Sequence, residues 1–476
     1  MPSCDTALVG GHVAIAGAPP VRADIAIRGG IIVGIGTGVG ADAHEVVDCS
    51  GLLILPGAVD AHFHIGIYRG FKEDARSETQ SALVGGVTSV LSYFRTGHHY
   101  LDRTGPYAEI LPELLAMAAG ECWTDYGFHL APMDNAHVAE IERLVAHDGI
   151  TSFKYYMFYK GMNLAGDSRD SATYTMAENY DLGHLLEIME AVVRAGQGSP
   201  TRVSLSIHCE QPELIRVFLE RVRRDPRVSG LKAYSQARPP LTEQLAIAEA
   251  GVLASASRCP INLLHLSSAD ALSAARKLQR ENPDLDVRLE TTLHHLALAY
   301  ETYSDQRGKV NPPIRSERDV AALWSGVLSG AIDWIVSDHA CCSDEAKGGS
   351  LWSALPGFGG TALLYPFLLT EGLRRGLSLE RVVQLASTKP AEAYGLRPRK
   401  GAIALGADAD LACVDMTEHR TVTAALLQSA QDYTPFEGMS LTGWPVYTLL
   451  RGQLVYREGE VVGSPQGAFL ARTTSS

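Results

Sequence analysis

Two patterns of hydrophobic and polar positions divide the chain. Residues 1–57 contain short apolar runs that alternate with polar positions and end at glycines, as in ALVGGHVAIAG and HEVVDCSGLLILPG. This pattern predicts β-strands and no helix. From about residue 58 to residue 399, strand-like apolar runs alternate with helix-length stretches rich in Ala, Leu, Glu and Arg, and the short-strand pattern then returns.

The middle region predicts a barrel of parallel strands. Its strand-like runs include VTSVLSYF, SFKYYMFY, RVSLSIHCE, INLLHLSS and WIVSDHA, each separated from the next by a helix-sized segment. Regular β/α alternation favours a parallel sheet, and the length suits a (β/α)8 TIM barrel of the α/β class. We therefore expect residues 58–399 to form the barrel and residues 1–57 and 400–476 to build one small β-sandwich domain. The last stretch, GSPQGAFLARTTSS, is expected to be a loosely held tail.

Charge and composition narrow the partners of the chain to small molecules. With 54 acidic and 41 basic residues among 476, the net charge is −13, so no basic surface is expected for nucleic acid or an anionic membrane. No signal segment or membrane-length apolar run is found, which predicts a cytoplasmic protein. The eight cysteines lack C-x-x-C spacing, which argues against a disulfide framework and a structural zinc knuckle.

The stretch LPGAVDAHFHIG places His62 and His64 two residues apart in a predicted strand. Side chains alternate between the faces of a strand, so both imidazoles can reach one point. A chance H-x-H is common in a chain with 16 histidines, so the pair alone is a weak signal.

Other strand-like runs end at polar side chains: Lys154 in SFKYYMFYK, His208 in SIHCE, His265 in LLHLSS and Asp338 in VSDHA. The carboxyl ends of barrel strands face one mouth, so these residues are expected to converge. Four histidines, an aspartate and a lysine suit two divalent metals, with zinc favoured and manganese, cobalt or iron as alternatives. A protonated lysine would repel the metals, so Lys154 must be neutral or converted to an acid.

The remaining histidines, His129 and His184 among them, are expected in helices or loops without a functional role. Cys341 and Cys342 follow Asp338 and suggest a thiolate nucleophile. No base is placed by the sequence to activate either thiol, so we expect both to line the mouth of the barrel instead.

The ordered set of H-x-H, Lys, His, His and Asp resembles the amidohydrolase superfamily, and specifically its cyclic amidohydrolases: dihydropyrimidinase or hydantoinase, allantoinase and dihydroorotase. The resemblance covers nearly the whole chain and includes KEDARSETQSALVGGVTSV, SFKYYMFYK, ETTLHHL, KVNPPIRSERD and RGQLVYREGEVVGSPQGAFL. It implies two divalent metals bridged by a carbamate that carbon dioxide forms on Lys154. It also implies which side chains hold the two metals: His62, His64 and Asp338 for the more buried one, and His208 and His265 for the second.

This resemblance implies hydrolysis of the C–N bond of a cyclic amide, imide or ureide by a metal-bridging hydroxide. Asp338 would take the proton of the water and pass it to the ring nitrogen, and Tyr159 would stabilise the oxyanion. For Tyr159 the alternative is a purely structural barrel aromatic. His294 and Asn311 would contact the substrate, and a homo-oligomer, either dimer or tetramer, is expected.

The sequence leaves the identity of the substrate ring undecided. Dihydroorotases carry an arginine after H-x-H where this chain has Gly66, and an asparagine where Arg95 stands. Arg95 is expected either to bind an anionic substituent or to be a surface arginine paired with Asp102. Hydantoinase-like, allantoinase and dihydroorotase activities all remain, as does a non-catalytic scaffold. The pocket beside Arg95 is expected to be aromatic and to include four residues: Phe63, Tyr155, Tyr159 and Phe358.

Overall fold

The computed structural model describes residues 4–97, 99–159 and 180–472. One of its two nine-stranded sheets is wholly parallel and consists of Ala58–His64 (β6), Val87–Phe94 (β7), Asp125–Leu130 (β8), Ser152–Tyr156 (β9), Ser204–His208 (β10), Ile261–Leu263 (β11), Val287–Thr292 (β12), Trp334–Val336 (β13) and His339–Ala340 (β14). These strands pair in chain order from β6 to β13. Every residue of β7 is buried, as expected for a parallel strand covered on both faces.

The eighth barrel strand consists of two short pieces that close the sheet. β13 pairs with β12 through Trp334 and Glu290, while β14 pairs with β6 through His339 and Phe63. Between the two pieces lies Asp338. The expected TIM-barrel fold is therefore confirmed, and Asp338 lies at the seam where the last strand meets the first.

Helices connect successive strands around the outside of the barrel. They are Phe71–Val84 (α1), Tyr107–Ala118 (α2), Asn135–Asp148 (α3), Leu182–Gly196 (α4), Pro212–Arg223 (α5), Gly230–Ala237 (α6), Pro240–Ser257 (α7), Ala269–Glu281 (α8), Leu293–Ala297 (α9), Glu317–Leu328 (α10), Leu364–Phe367 (α11), Leu379–Val383 (α12) and Lys389–Ala393 (α13). Local sequence sets several ends: Ser316 and Asp319 form a capping box before α10, and Gly149 ends α3 with a φ of 69°. No helix in the described ranges is long and apolar enough to cross a membrane.

Both ends of the chain contribute to a second sheet, as expected. The N-terminal strands are Thr6–Val13 (β1), Val21–Arg28 (β2), Ile31–Gly36 (β3), Glu45–Asp48 (β4) and Leu53–Pro56 (β5), and the C-terminal strands are Leu411–Thr421 (β15), Ser440–Leu450 (β16), Gln453–Arg457 (β17) and Glu460–Val461 (β18). The two groups join where β15 pairs antiparallel with β5. Most pairs are antiparallel, although β1 pairs in parallel with both β4 and β5.

A buried ion cluster holds the β-domain against the barrel. Lys400 is 2% exposed, and its Nζ lies 2.5 Å from the carboxylate of Asp125 in β8 and 2.6 Å and 2.9 Å from the carboxylates of Asp410 and Asp408. Arg451 also donates to Asp125. Arg399 lies 2.9 Å from Asp408, so three cationic side chains face three carboxylates and the charges compensate each other where the two sheets meet.

The expectation of a loose C-terminal tail is wrong for the residues that the structure describes. Leu470 donates its backbone N–H to the carbonyl of Tyr126 at 2.7 Å, and Arg472 is 4% exposed. The Arg472 guanidinium donates to the carbonyl of Phe128 at 2.6 Å and to Ser152 Oγ at 2.5 Å. The tail is therefore docked on the barrel by backbone and guanidinium hydrogen bonds, which hydrophobic patterning does not reveal.

Candidate metal centre

The candidate ligands lie at the carboxyl ends of barrel strands, where the backbone turns sharply. His265 follows β11 with a φ of 36°, and Asp338 separates β13 from β14 with a φ of 52°. Residues other than glycine rarely adopt such positive φ values, and each such conformation costs about 1–3 kcal/mol. The residues at both turns, His265 and Asp338, line the cavity at this end of the barrel.

The structure brings His62, His64 and Asp338 into one tight group. The Nε2 atoms of His62 and His64 lie 3.0 Å and 3.2 Å from the same oxygen, Oδ1 of Asp338. All three residues are at least 92% buried. Although burial alone would raise the pKa of Asp338, His62 and His64 hold that pKa well below its ordinary value, so the carboxylate stays ionised.

His208 and His265 form the other side of the group. Their ring centroids are 4.3 Å apart, and the ring of His265 lies 5.3 Å from that of His62. Burial lowers the pKa of His208 to about 4 and that of His265 well below its ordinary value, so both rings are neutral at pH 7. His265 Nδ1 is buried and has no hydrogen-bond partner in the described parts of the chain. A neutral imidazole with a free lone pair is the form that binds a metal.

Lys154 lies in β9 and lines the same cavity as these residues. Its Nζ is 4.2 Å from the centre of the Tyr93 ring and 4.7 Å from that of Tyr156. No ion pair to this ammonium is found among the described residues, and burial lowers the pKa of Lys154 to about 7. A large share of the amine is therefore neutral at pH 7.

Three buried polar groups that the sequence interpretation did not single out orient the histidines. His62 Nδ1 lies 2.7 Å from Glu290 Oε1, His208 Nε2 lies 2.7 Å from Glu210 Oε2, and His64 Nδ1 lies 2.9 Å from the Tyr100 hydroxyl. Partners of this kind fix which ring nitrogen faces a metal.

Both carboxylates are held in turn by a further donor. Glu290 accepts from the indole of Trp334 at 2.7 Å, and Glu210 from Arg238 Nε at 2.9 Å. Glu210 follows His208 by two residues in SIHCE, and Glu290 begins ETTLHHL. The sequence signal that could have identified them was an acidic residue close to a candidate ligand, for Glu210, or near the end of a barrel strand, for Glu290.

A cavity opens above these ligands, and three of the expected substrate contacts line it: Tyr159, Arg95 and Asn311. Arg95 is 4% exposed, so it is not the surface arginine of the alternative interpretation. Its guanidinium carbon lies 5.5 Å from the centre of the Tyr159 ring and 5.8 Å from that of Tyr100. The Asn311 amide oxygen accepts a hydrogen bond from Tyr234 at 2.6 Å.

The structure does not bring His294 to the cavity. The side chain is 1% exposed in α9, and its ring lies 4.3 Å from that of His295 and 5.1 Å from that of Phe358. Cys341 and Cys342 are likewise fully buried and are not among the lining residues, so the expectation that they line the mouth is wrong. Burial raises the pKa of both thiols.

The aromatic residues that line the cavity also differ from those expected from the sequence. Phe63 stacks on His339 with ring centroids 4.6 Å apart, and the Tyr155 hydroxyl donates to the carbonyl of Asp181 at 2.7 Å, so both point away from the cavity. The reason is strand alternation: residues that neighbour an inward-facing ligand face outward. Apart from Tyr159, the aromatic residues of the wall are Tyr68, Tyr100, Tyr156, Phe158, Tyr234 and Trp352.

The chain is similar to known proteins in both sequence and fold. The profile of the amidohydrolase family matches residues 53–455. The chain is 28% identical to a D-hydantoinase of Ralstonia pickettii over 95% of each chain, and 30% identical to a dihydroorotase of Methanothermobacter thermautotrophicus over 92% of each chain. The crystal structure of a dihydropyrimidinase from Brevibacillus agri is similar with a TM-score of 0.86, at 26% identity and 99% coverage of both chains.

Proposed function

Because the chain belongs to the amidohydrolase family, we propose that it is a binuclear metal-dependent hydrolase that opens the C–N bond of a cyclic amide, imide or ureide. The single observation that carries this proposal is the convergence of the candidate ligands at one end of the barrel. Six side chains from five different strands or strand ends line the same cavity: His62, His64, Lys154, His208, His265 and Asp338.

The donor set fits two divalent ions of the zinc type. Imidazole nitrogens and a carboxylate are the ligands that zinc prefers, and manganese, cobalt and iron accept the same set. His62, His64 and Asp338 would hold one ion, and His208 and His265 the other. The unpartnered Nδ1 of His265 supports this assignment, because a buried ring nitrogen without a partner is unfavourable.

Lys154 fits the role of a carbamate bridge. Carbon dioxide reacts with a neutral amine, and burial supplies that form by lowering the pKa of Lys154 to about 7. The amine nitrogen would bond to the carbon of carbon dioxide and release one proton, so the site would hold a carboxylate-like anion in place of a repelling cation. This change resolves the conflict of a lysine within a cation-binding site.

When bound, the metals would lower the pKa of a water molecule and polarise the ring carbonyl. Asp338 is ionised and faces the cavity, so it would accept the proton of that water and return it to the departing ring nitrogen. The phenol of Tyr159 would donate to the oxygen that gains negative charge. Arg95 and Asn311 would orient the ring, since both line the same cavity.

A panel of hydantoin, dihydrouracil, allantoin, dihydroorotate and cyclic imides tests the proposal. The zinc-loaded protein is expected to open at least one ring class, and removal of the metal by a chelator should abolish that turnover. If a protein that holds its metals hydrolyses none of these rings, that result contradicts the proposal.

A further inference from the structure

The cavity wall carries more positive charge than the proposed chemistry requires. Among the described residues that line the cavity, Asp338 is the one carboxylate. Two of the cationic side chains have no role in the proposed reaction: Lys309 and Arg223. Arg223 ends α5, and its guanidinium carbon lies 5.4 Å from the centre of the Trp352 ring. One region of the wall is therefore positively charged.

Lys309 is an unusual residue for such a wall because it is 5% exposed. Its ammonium donates to the carbonyl of Ala354 at 2.6 Å and to that of Trp352 at 3.1 Å, which uses two of its three hydrogens. Its Nζ also lies 4.9 Å from the centre of the Tyr234 ring. Within the described parts of the chain, no carboxylate lies within ion-pair distance of Lys309.

A second buried lysine increases the local positive charge. Lys347 is 1% exposed and donates to the carbonyl of Lys309 at 2.9 Å, and the described residues offer it no carboxylate either. Burial, together with the positive charges of Lys347, Arg238 and Arg223, lowers the pKa of Lys309 to about 7. A buried ammonium without an anion is unfavourable, and an anion arriving in the cavity would relieve that cost.

We propose that Lys309 is the anion-binding group of this cavity and that the preferred ring carries a pendant carboxylate that binds to it. The proposal rests on the hydrolase function proposed above and defines the substrate class of the same site. Asn311 supports it from two residues away: its oxygen accepts from Tyr234, which leaves its two amide hydrogens as donors. Arg223, at the exposed end of α5, would attract the anion towards the cavity.

The test compares two rings that differ only in charge, hydantoin-5-acetate and hydantoin-5-acetamide, on the full-length zinc-loaded protein. The unaltered protein should show the higher kcat/KM with the acetate ring. Lys309→Met should lower kcat/KM for the acetate ring about 10-fold to 100-fold, mainly through KM, since a hydrogen bond to a charged group is lost. The acetamide ring should change by no more than about 2-fold, and Lys309→Arg should retain part of the preference.

Lys347→Met is the matched control, because Lys347 is also a buried lysine without a carboxylate partner among the described residues but is not among the residues that line the cavity. It should lower thermal stability and keep or slightly increase the preference for the acetate ring, because loss of the Lys347 charge favours the protonated form of Lys309. Equal losses on both rings in Lys309→Met, or an unchanged ratio, would overturn the proposal and leave Lys309 with the role of fixing the 352–354 backbone.

The outcome also separates this inference from the proposed function. If the unaltered protein opens neither ring, calorimetric binding of hydantoin-5-acetate decides the question. Weaker binding to Lys309→Met than to the unaltered protein then supports the anion site while the hydrolase proposal fails. Equal binding contradicts the anion site. Circular dichroism of each variant verifies that the fold is intact.

Discussion

Glu290→Gln should weaken zinc binding without any change in the ligands themselves. The two oxygens of Glu290 accept from His62 Nδ1 and from Trp334 Nε1, each at 2.7 Å. A glutamine has one oxygen and one amino group, so one of these two donors must face another donor. If the His62 ring responds by moving its proton to Nε2, it loses the lone pair on the nitrogen that lies 3.0 Å from Asp338.

The magnitude follows from this geometry. Glu290 is fully buried, so water cannot replace the lost acceptor. Loss of a partner that orients a metal-binding histidine lowers metal affinity about 10-fold to 100-fold, which corresponds to about 1.4–2.7 kcal/mol. Titration of the metal-free protein with zinc against a chelator of known affinity measures this difference.

Glu78→Gln is the matched control for this experiment. Glu78 is also fully buried and makes the same bond, 2.7 Å from Nε2 of His339. Nδ1 of His339 accepts from the backbone N–H of Gly360 at 3.1 Å, so that ring cannot bind a metal. Glu78→Gln should cost stability and leave zinc affinity near that of the unaltered protein. Unchanged affinity in Glu290→Gln, or an equal loss in both variants, would show that the bond between Glu290 and His62 does not support zinc binding.

Three further predictions concern the reaction and the pH dependence of stability. Asp338→Asn should lower kcat by about 100-fold or more, with a smaller change in metal content, because an amide cannot accept the proton; a nearly unchanged kcat would assign the proton to another group. Tyr159→Phe should lower kcat by about 10-fold to 1000-fold if its hydroxyl stabilises the oxyanion, whereas a purely structural Tyr159 would leave kcat nearly unchanged. The metal-free protein should lose stability as pH falls from about 6.5 to about 4, because burial lowers the pKa of His294 to about 4 and the unfolded chain therefore binds the proton first. Urea midpoints at pH 7 and pH 5 should differ less in His294→Gln than in the unaltered protein, and an equal difference would show that other groups cause the slope.

The hydrophobic pattern predicted the barrel strands where sequence and burial agree. The predicted run VTSVLSYF is the strand Val87–Phe94, whose residues are all buried. The strand Asp125–Leu130 was not predicted, because it contains two polar residues that the fold buries. One of them, His129, was expected in a helix or loop but lies in this strand, with its ring nitrogens 2.5 Å from Ser152 Oγ and 3.0 Å from the carbonyl of Ala61.

For the candidate site, strand alternation was the most informative property of the sequence, and it was not applied far enough. It predicted that His62 and His64 share a face, and the same rule places Phe63 on the opposite face, where it stacks on His339. The positions of Lys309 and Arg238 depend on segments far apart in the chain. Lys309 lies two residues before Asn311 in KVNPPIRSERD, so that motif was an available signal for it, whereas Arg238 had no such local signal.

The central claim, a two-metal centre bridged by modified Lys154, is tested most directly by counting metal ions per chain in the unaltered protein and in Lys154→Ala. Both proteins are loaded with zinc in bicarbonate buffer, dialysed and measured by elemental mass spectrometry. We expect about two ions per chain in the unaltered protein and about one or none in Lys154→Ala, because the bridging ligand is gone. Two ions per chain in Lys154→Ala, or less than about one ion per chain in the unaltered protein, would contradict a two-metal centre bridged by Lys154.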